Sequence, residues 1–489
     1  MSQSAVTIIM VGTAVIAGVL LVRGLSTQIR RRRWNSSASF ILLIACVVNL
    51  RPALGGFLRA FTVHTDVFYE RTLIYAPSLN RLVKYGDRLL IAAAVVLVIR
   101  GLGHRLPLPR AALAGLLLLT LGCLASAAHG DGFAGNAQIL LALLFLASAF
   151  MQPGVGACLG AATFGILMAV ASGMLSIVNY TAAVQVCNTK CGPLGVLYPG
   201  AAETENALGL ILALATPFVY VAFEGKLRIW LTGYIVFMTV MTGSRTSQIA
   251  VAATVALLVM VRPSLDKTDD SRKRRLNVGW LVGVSCLVGL AAPFWVTDPG
   301  SLTQRGYVWS VARRAWDSAP WFGNGPKAWA ALADTGVISP AAVYSAHNEW
   351  LDTLFVAGLC GAIVIAAFLV FLLRSPEPGR RTALYVIVFP ALIAGVTERP
   401  WSFSGIDWLS WSLLAAILAV PTRVVVKQSR ARSELLLLPL PESQPQFLDV
   451  AWPATVGPHA EIALSGVHSL SVAAAGSRSD DDALAPHCP

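Results

Sequence analysis

The chain has 489 residues, of which 56% are hydrophobic and 13% charged, with a formal net charge of +12. A soluble domain carries about 25% charged residues, and here the apolar residues come in long runs, so a soluble globular protein is excluded and a polytopic membrane protein is expected. The excess positive charge sits mostly in short connections between apolar runs, where it orients spans and meets anionic headgroups; with no basic domain carrying interleaved aromatics, nucleic acid is not an expected partner and the lipid bilayer is.

Residues 5–22 form an apolar run with no charged segment before them, and read as a retained first span, not a cleaved signal. Further candidate spans follow at 37–58, 88–102, 111–128, 137–152, 155–178, 206–223, 229–243, 248–262, 278–297, 350–373, 382–397 and 406–422. None alternates as a strand would, and helices satisfy their backbone within lipid without closing a barrel. The expected fold is therefore all-α, a polytopic transmembrane helical bundle of twelve to thirteen spans. Gly156 and Gly160 would let a neighbouring helix approach closely. With the N-terminus outside, every second connection is basic, from Arg30–Arg33 through Lys226/Arg228 to Arg423–Arg432. The outer connections are then 61–87, 129–136, 179–205, 244–247, 298–349 and 398–405. The expected domains are a membrane unit at 1–424, with its motif-bearing core at 200–373 and a large outer loop at 298–349, and a disordered cytoplasmic tail at 425–489, rich in Ser, Pro and Ala. No internal repeat and no ATP-coupling P-loop is present.

Five of the 8 cysteines (Cys46, Cys123, Cys158, Cys286 and Cys360) lie in apolar runs and read as small core residues. Cys187 and Cys191 share a polar loop and could close a disulfide if it faces an oxidising compartment. No ligand partner at metal spacing accompanies them, so zinc is not expected.

The polar residues worth chemistry gather on the expected outer face. His347 opens the span at 350, and an imidazole can take a proton from a sugar hydroxyl near neutral pH. The bland reading is an interfacial histidine satisfied by headgroups. Arg305 lies in Leu302–Trp316, which reads as an amphipathic helix with Trp309, Ala312 and Trp316 on one side. Its arginines either snorkel to lipid phosphates, with the tryptophans anchored at headgroup depth, or grip a diphosphate through paired hydrogen bonds. Arg245 stands between two apolar runs with almost no loop, and is either a snorkelling turn residue or a functional one. Glu203, Glu205 and Asn206 precede the span at 207, where helix capping explains them and a catalytic role is the alternative. Glu398 and Arg399 read as a pair bonded to each other at the surface. Asp66 and Glu70, one helical turn apart, are the nearest approach to a metal-binding pair; otherwise outer-face acids stand mostly singly, and arginines are the expected counter-charge of any pyrophosphate.

These residues together resemble the O-antigen ligase and polymerase superfamily of bacterial envelope proteins. The resemblance rests on Glu205-Asn206-Ala207-Leu208, Gly243-Ser244-Arg245, Arg305 with Trp309 and Gly323-Asn324-Gly325, and His347-Asn348 followed by nine residues, Gly358, two residues and Gly361. It covers residues 200–370 well. The earlier spans match only in character and the tail not at all. It implies an inverting, metal-independent transfer from an undecaprenyl-diphosphate-linked glycan donor on the outer face of the cytoplasmic membrane. His347 would activate the acceptor hydroxyl, Arg305 and Arg245 would engage the diphosphate, and Asn348 and Glu205 would help orient groups. No cofactor is implied. The family pattern has one span fewer than the thirteen read here, with both termini inside. Acceptors in the family are lipid A core, a second lipid-linked glycan or a protein side chain, and the reading here is a ligase- or polymerase-like transfer to an acceptor sugar or lipid. The alternative is a transporter or flippase for lipid-linked oligosaccharide, which predicts charges deep in the spans and two related halves. A second enzyme reading uses a carboxylate and a metal, with Asp66 as its residue.

Overall fold

A computed structural model describes residues 3–419, apart from 66–70, 103–107, 131, 188–190, 267–271, 339–344 and 375–377. The tail expected at 425–489 and the pair Asp66/Glu70 lie outside the described residues.

The chain folds as helices with two small hairpins. The first part contains α1 (Gln3–Arg30), α2 (Ser36–Val48), α3 (Leu50–Leu58), β1 (Phe61–Thr65), β2 (Arg71–Tyr75), α4 (Pro77–Leu102), α5 (Arg110–Ala128), α6 (Asn136–Ser148) and α7 (Val155–Val178). After α8 (Tyr180–Ala183) and the strands β3 (Gln185–Val186) and β4 (Val196–Leu197) come α9 (Glu205–Ala222), α10 (Gly225–Thr242), α11 (Arg245–Asp266) and α12 (Arg272–Trp295). The last part is α13 (Ser301–Ser318), α14 (Ala328–Asp334), α15 (Glu349–Leu373), α16 (Pro378–Ala394) and α17 (Ser410–Leu418). The strands pair antiparallel, β1 with β2 from Phe61 opposite Tyr75 to Thr65 opposite Arg71, and β3 with β4. A disulfide joins Cys187 to Cys191 beside the second hairpin.

Every apolar run read from the sequence becomes a helix, and the run at 37–58 becomes two, α2 and α3, bent by 57° at Asn49. The span count is less simple. Among the described residues seven helices are long and apolar enough to cross a bilayer, or eight with the bent pair counted as one. The difference lies in α4, α6, α10, α16 and α17: α4 has charged first turns, the apolar stretches of α6 and α16 are short, and the nine residues of α17 reach about half the hydrocarbon thickness. The chain is a polytopic helical membrane protein.

Helix α7 sits at the centre, against α1, α2 and α9. Its glycines let that happen. A Cβ on Gly160 would lie 2.3 Å from the Ala38 carbonyl oxygen of α2, so the two backbones touch at that point. At the opposite end from the site described below, Arg31 and Arg33 after α1 both bond Glu224 before α10. The Arg33 bond, with that of Arg31, holds the Glu224 carboxyl below its ordinary range. Two of the basic connections therefore share one end of the bundle.

Helix α15 is broken. Gly358 has φ 62° and ψ −160°, a backbone conformation that essentially only glycine adopts, dividing the helix into 349–357 and 359–373. A break in a buried membrane helix frees carbonyl and N–H groups that need partners. The loop between α13 and α14 supplies them. Asn324 N–H donates to Phe355 O (2.8 Å) and Gly325 N–H to Val356 O (3.0 Å), while Leu359 N–H and Cys360 N–H donate to Pro320 O (2.9 Å) and Trp321 O (3.1 Å). The loop comes so close that a Cβ on Gly323 would lie 2.5 Å from the Val356 carbonyl carbon. The two sequence motifs Gly323-Asn324-Gly325 and Gly358 are thus two halves of one hydrogen-bonded joint.

Candidate functional site

The segment before α15 is pinned on both sides of His347. Asn348, with no exposed surface, is the N-cap of α15. Its Oδ1 accepts from Leu351 N–H (2.8 Å), and its amide donates to Gly289 O of α12 and to Val396 O beyond α16 (2.9 Å each). Glu349 N–H donates to Gly395 O (2.9 Å), and its carboxylate accepts from Trp401 N–H (3.0 Å). On the other side, Ala346 N–H donates to Asp352 Oδ1 (3.0 Å), and Ala346 O accepts from the Trp309 indole (2.8 Å). His347 itself has φ 48°, and its N–H donates to Ser345 Oγ (3.2 Å). A non-glycine residue in that region is uncommon and persists where its surroundings hold it.

Asp352 anchors this arrangement from inside. Besides Ala346 it accepts from the Trp329 indole (3.0 Å), and its second oxygen meets Arg399 (3.2 Å). Burial alone would lower the Arg399 pKa, but the carboxylates of Asp352, Asp407 and Glu349 outweigh it and hold the guanidinium above its ordinary value. The interior charge is therefore kept and paired. Trp329 also stacks on Phe355 with ring centroids 4.0 Å apart.

The imidazole reaches outward. His347 Nδ1 lies 3.2 Å from Glu398 Oε2, and the other carboxylate oxygen, Oε1, bonds Arg305. The three side chains are sheltered but reachable, with exposures of 20% for His347, 19% for Arg305 and 9% for Glu398. Glu398 and Arg399 do not pair with each other at the surface as their adjacency suggests. They diverge, Glu398 to His347 and Arg305, Arg399 to buried Asp352, because each finds an opposite charge on a different neighbouring helix.

Helix α13, which carries Arg305, forms as expected, but its tryptophans are not both headgroup anchors. Trp309 is fully buried in a small core with Val308, Ala312, Trp329, Leu351 and Phe355. The helix packs on α15, and Arg313 fixes it to α12 by donating to Pro293 O. Arg305 is thereby held in place.

Arg245 is the first residue of α11 and is exposed; among the described residues it has no hydrogen-bond or ion-pair partner. It comes near the same turn indirectly, since Thr246 Oγ1 lies 3.0 Å from Thr397 Oγ1, next to Glu398. Glu205, half-buried, is the first residue of α9, and Thr204 is the residue that caps that helix, by accepting from Ala207 N–H (3.1 Å). One turn on, a Cβ at Gly209 would meet Ser247 Oγ at 2.6 Å, so the starts of α9 and α11 abut. Glu203 bonds Arg51 of α3 (2.7 Å) instead of capping. His347 and Arg305 are brought together, the start of the helix that carries Arg245 lies beside the turn that bears Glu398, and Glu205 stands one helix further away.

Glu398 is the residue that sequence reading placed wrongly. Its only local sign is a carboxylate at the expected outer end of a span. Among the described residues no three His, Cys, Asp or Glu side chains are grouped so that they could hold a metal ion. Residues 230–366 match the family described as O-antigen ligase. The matched stretch contains Arg245, Arg305, His347, Asn348 and both halves of the glycine joint, and excludes Glu205 and Glu398. No curated protein matches the chain.

Proposed function

We propose, from the match of residues 230–366 to the O-antigen ligase family, that this chain is a membrane glycosyltransferase of that broad kind, and that it moves an undecaprenyl-diphosphate-linked glycan onto an acceptor sugar or lipid at the outer face of the cytoplasmic membrane. One observation carries the assignment of roles: His347 and Arg305 share a single carboxylate, Glu398. A carboxylate on Nδ1 fixes that nitrogen as the protonated one and makes Nε2 the basic nitrogen of the ring. His347 Nε2 takes the proton of the acceptor hydroxyl as its oxygen attacks the anomeric carbon of the donor. The bond from that carbon to the diphosphate breaks, and its electron pair leaves with the diphosphate. Attack from the face opposite the leaving group inverts the anomeric centre. Arg305 neutralises the departing charge with help from Arg245, so the step runs on protein charges without a metal. Glu398 then stabilises the imidazolium. In the resting protein it also occupies Arg305, a contact that the diphosphate replaces on binding. Asn348 acts through the backbone, as the cap that fixes where His347 stands, and Glu205 helps set the loop bearing Arg245. The membrane unit at 1–424, with its core at 200–373 and outer loop at 298–349, is the transferase in this reading, and 425–489 is a cytoplasmic tail.

The test is His347→Ala in cells, with expression and membrane insertion verified. Lipid-linked glycan should accumulate on the outer leaflet while polymer or conjugate disappears, with turnover down by about 10²–10⁴-fold, the usual worth of a general base. Normal product would remove His347 from the chemistry. Donor stalled on the inner leaflet would instead mean transport.

A further inference from the structure

The reaction proposed above needs two sugars, and the acceptor reacts at its sugar end whether or not it carries a lipid. The group around Arg305 suits an anion. A second cavity, of about 440 Å³, opens at the same end of the bundle, since Asp407 and Trp408 in its wall belong to the connection that carries Glu398 and Arg399. That volume lies in the ordinary ligand-pocket range of roughly 300–1,000 Å³. Its polar lining includes Arg51, Asp87, Asn136, Glu203, Asp407 and Trp408, and its apolar wall comes from Ile91 of α4, Leu140 of α6 and Ile211 of α9. Arg51 and Asn136 are exposed and the three acids are partly buried.

The charge balance disfavours a diphosphate. Asp87, Glu203 and Asp407 line the cavity with one arginine, and Arg51 is already bonded to Glu203 at 2.7 Å. Acceptor oxygens on acids, an amide, one guanidinium, an indole and an apolar wall are the chemistry that meets the hydroxyls and C–H faces of a sugar ring. A separate feature points to the same place. The break between α2 and α3 lies on the cavity, where Asn49 leaves helical geometry at ψ 8° and donates to both Ala45 O and Trp408 O (3.0 Å each). Interrupted helices in membrane proteins are found where they line a binding cavity.

We propose that this cavity binds the saccharide end of the acceptor, apart from the diphosphate-binding group; the assignment rests on the transfer reading above. The cavity is tied to the reacting group through its wall. Asp407 acts electrostatically on Arg399, Arg399 pairs with Asp352, and Asp352 holds the backbone of Ala346 next to His347.

The test uses the purified full chain carrying His347→Ala, so that nothing turns over. One probe is the lipid-free oligosaccharide released by mild acid from the cell's own lipid-linked glycan, and the other is the intact lipid-linked donor. Asn136→Ala at the exposed rim removes a sugar partner, and Ala137→Trp, also exposed on the lining, fills the space without disturbing a buried position. The oligosaccharide should bind; Asn136→Ala should weaken it by about two- to tenfold, the worth of a lost hydrogen bond, and Ala137→Trp by at least as much through loss of space. Donor affinity should stay unchanged by both variants and fall with Arg305→Ala. No oligosaccharide binding, or binding indifferent to both variants, overturns the proposal. If donor affinity falls together with that of the oligosaccharide, the cavity holds the donor's own glycan and the acceptor assignment is wrong. Because the readout is binding to a chain without His347, it stands apart from the transfer reading, which fails on product formation.

Discussion

Glu398 is the residue on which the site turns, and it was invisible as such in the sequence because its partners lie 51 and 93 positions away. Replacing it by Gln keeps the shape and removes the charge. Glu398→Gln should slow turnover about tenfold to a hundredfold, the 1.5–3 kcal/mol of a hydrogen bond to a charged group, while donor binding holds or tightens because Arg305 is released. Steady-state kinetics that separate kcat from KM would decide it: a loss confined to KM would mean that Glu398 only shapes the donor site. Asn348 was legible as a neighbour of His347, but its role was not. A buried side-chain amide that caps one helix and bonds two other segments is a positioning group, and sequence adjacency alone cannot tell that from direct contact with substrate.

At the scale of elements, the helices were legible and the joint in α15 was not. Apolar runs of sufficient length dictate helices wherever the backbone must satisfy itself within lipid. Gly358 gives no such instruction by itself, because the groups that complete its break, at 320–325, are separated from it by α14 and the segment leading to His347. A Cβ at Gly358 would lie 2.4 Å from the Trp321 carbonyl oxygen, at φ 62°. Gly358→Ala should therefore lower the melting temperature in detergent and reduce the folded yield, since such backbone strain costs about 1–3 kcal/mol before any steric clash is added. Gly233 in α10 has open space around its missing Cβ, and Gly233→Ala should be neutral or stabilising by up to about 1 kcal/mol. Equal melting temperatures for the two variants would show that the joint carries no strain-sensitive packing.

For the whole molecule, the alternation of basic connections puts Arg314 of α13 outside and Lys226 inside. Both positions are exposed. In a background lacking Cys46, Cys286, Cys360 and Cys488, a membrane-impermeant thiol reagent should label Arg314→Cys in intact cells and Lys226→Cys only after permeabilisation; the reverse pattern would put His347 on the wrong side for an outer-leaflet donor. The sequence by itself determined the class of this protein, its helices and the identity of His347, Arg305 and Arg245 as residues worth testing, because hydrophobic run length, charge placement and motif spacing are properties of neighbours along the chain. Only the tertiary structure decided that Glu398 joins His347 to Arg305, that Asp352 and Arg399 brace the site from beneath, and that an acidic cavity opens beside a second helix break. Those pairings depend on which helix ends meet in space, and a polar contact across the bundle needs one side chain from each helix, leaving no periodic trace in either.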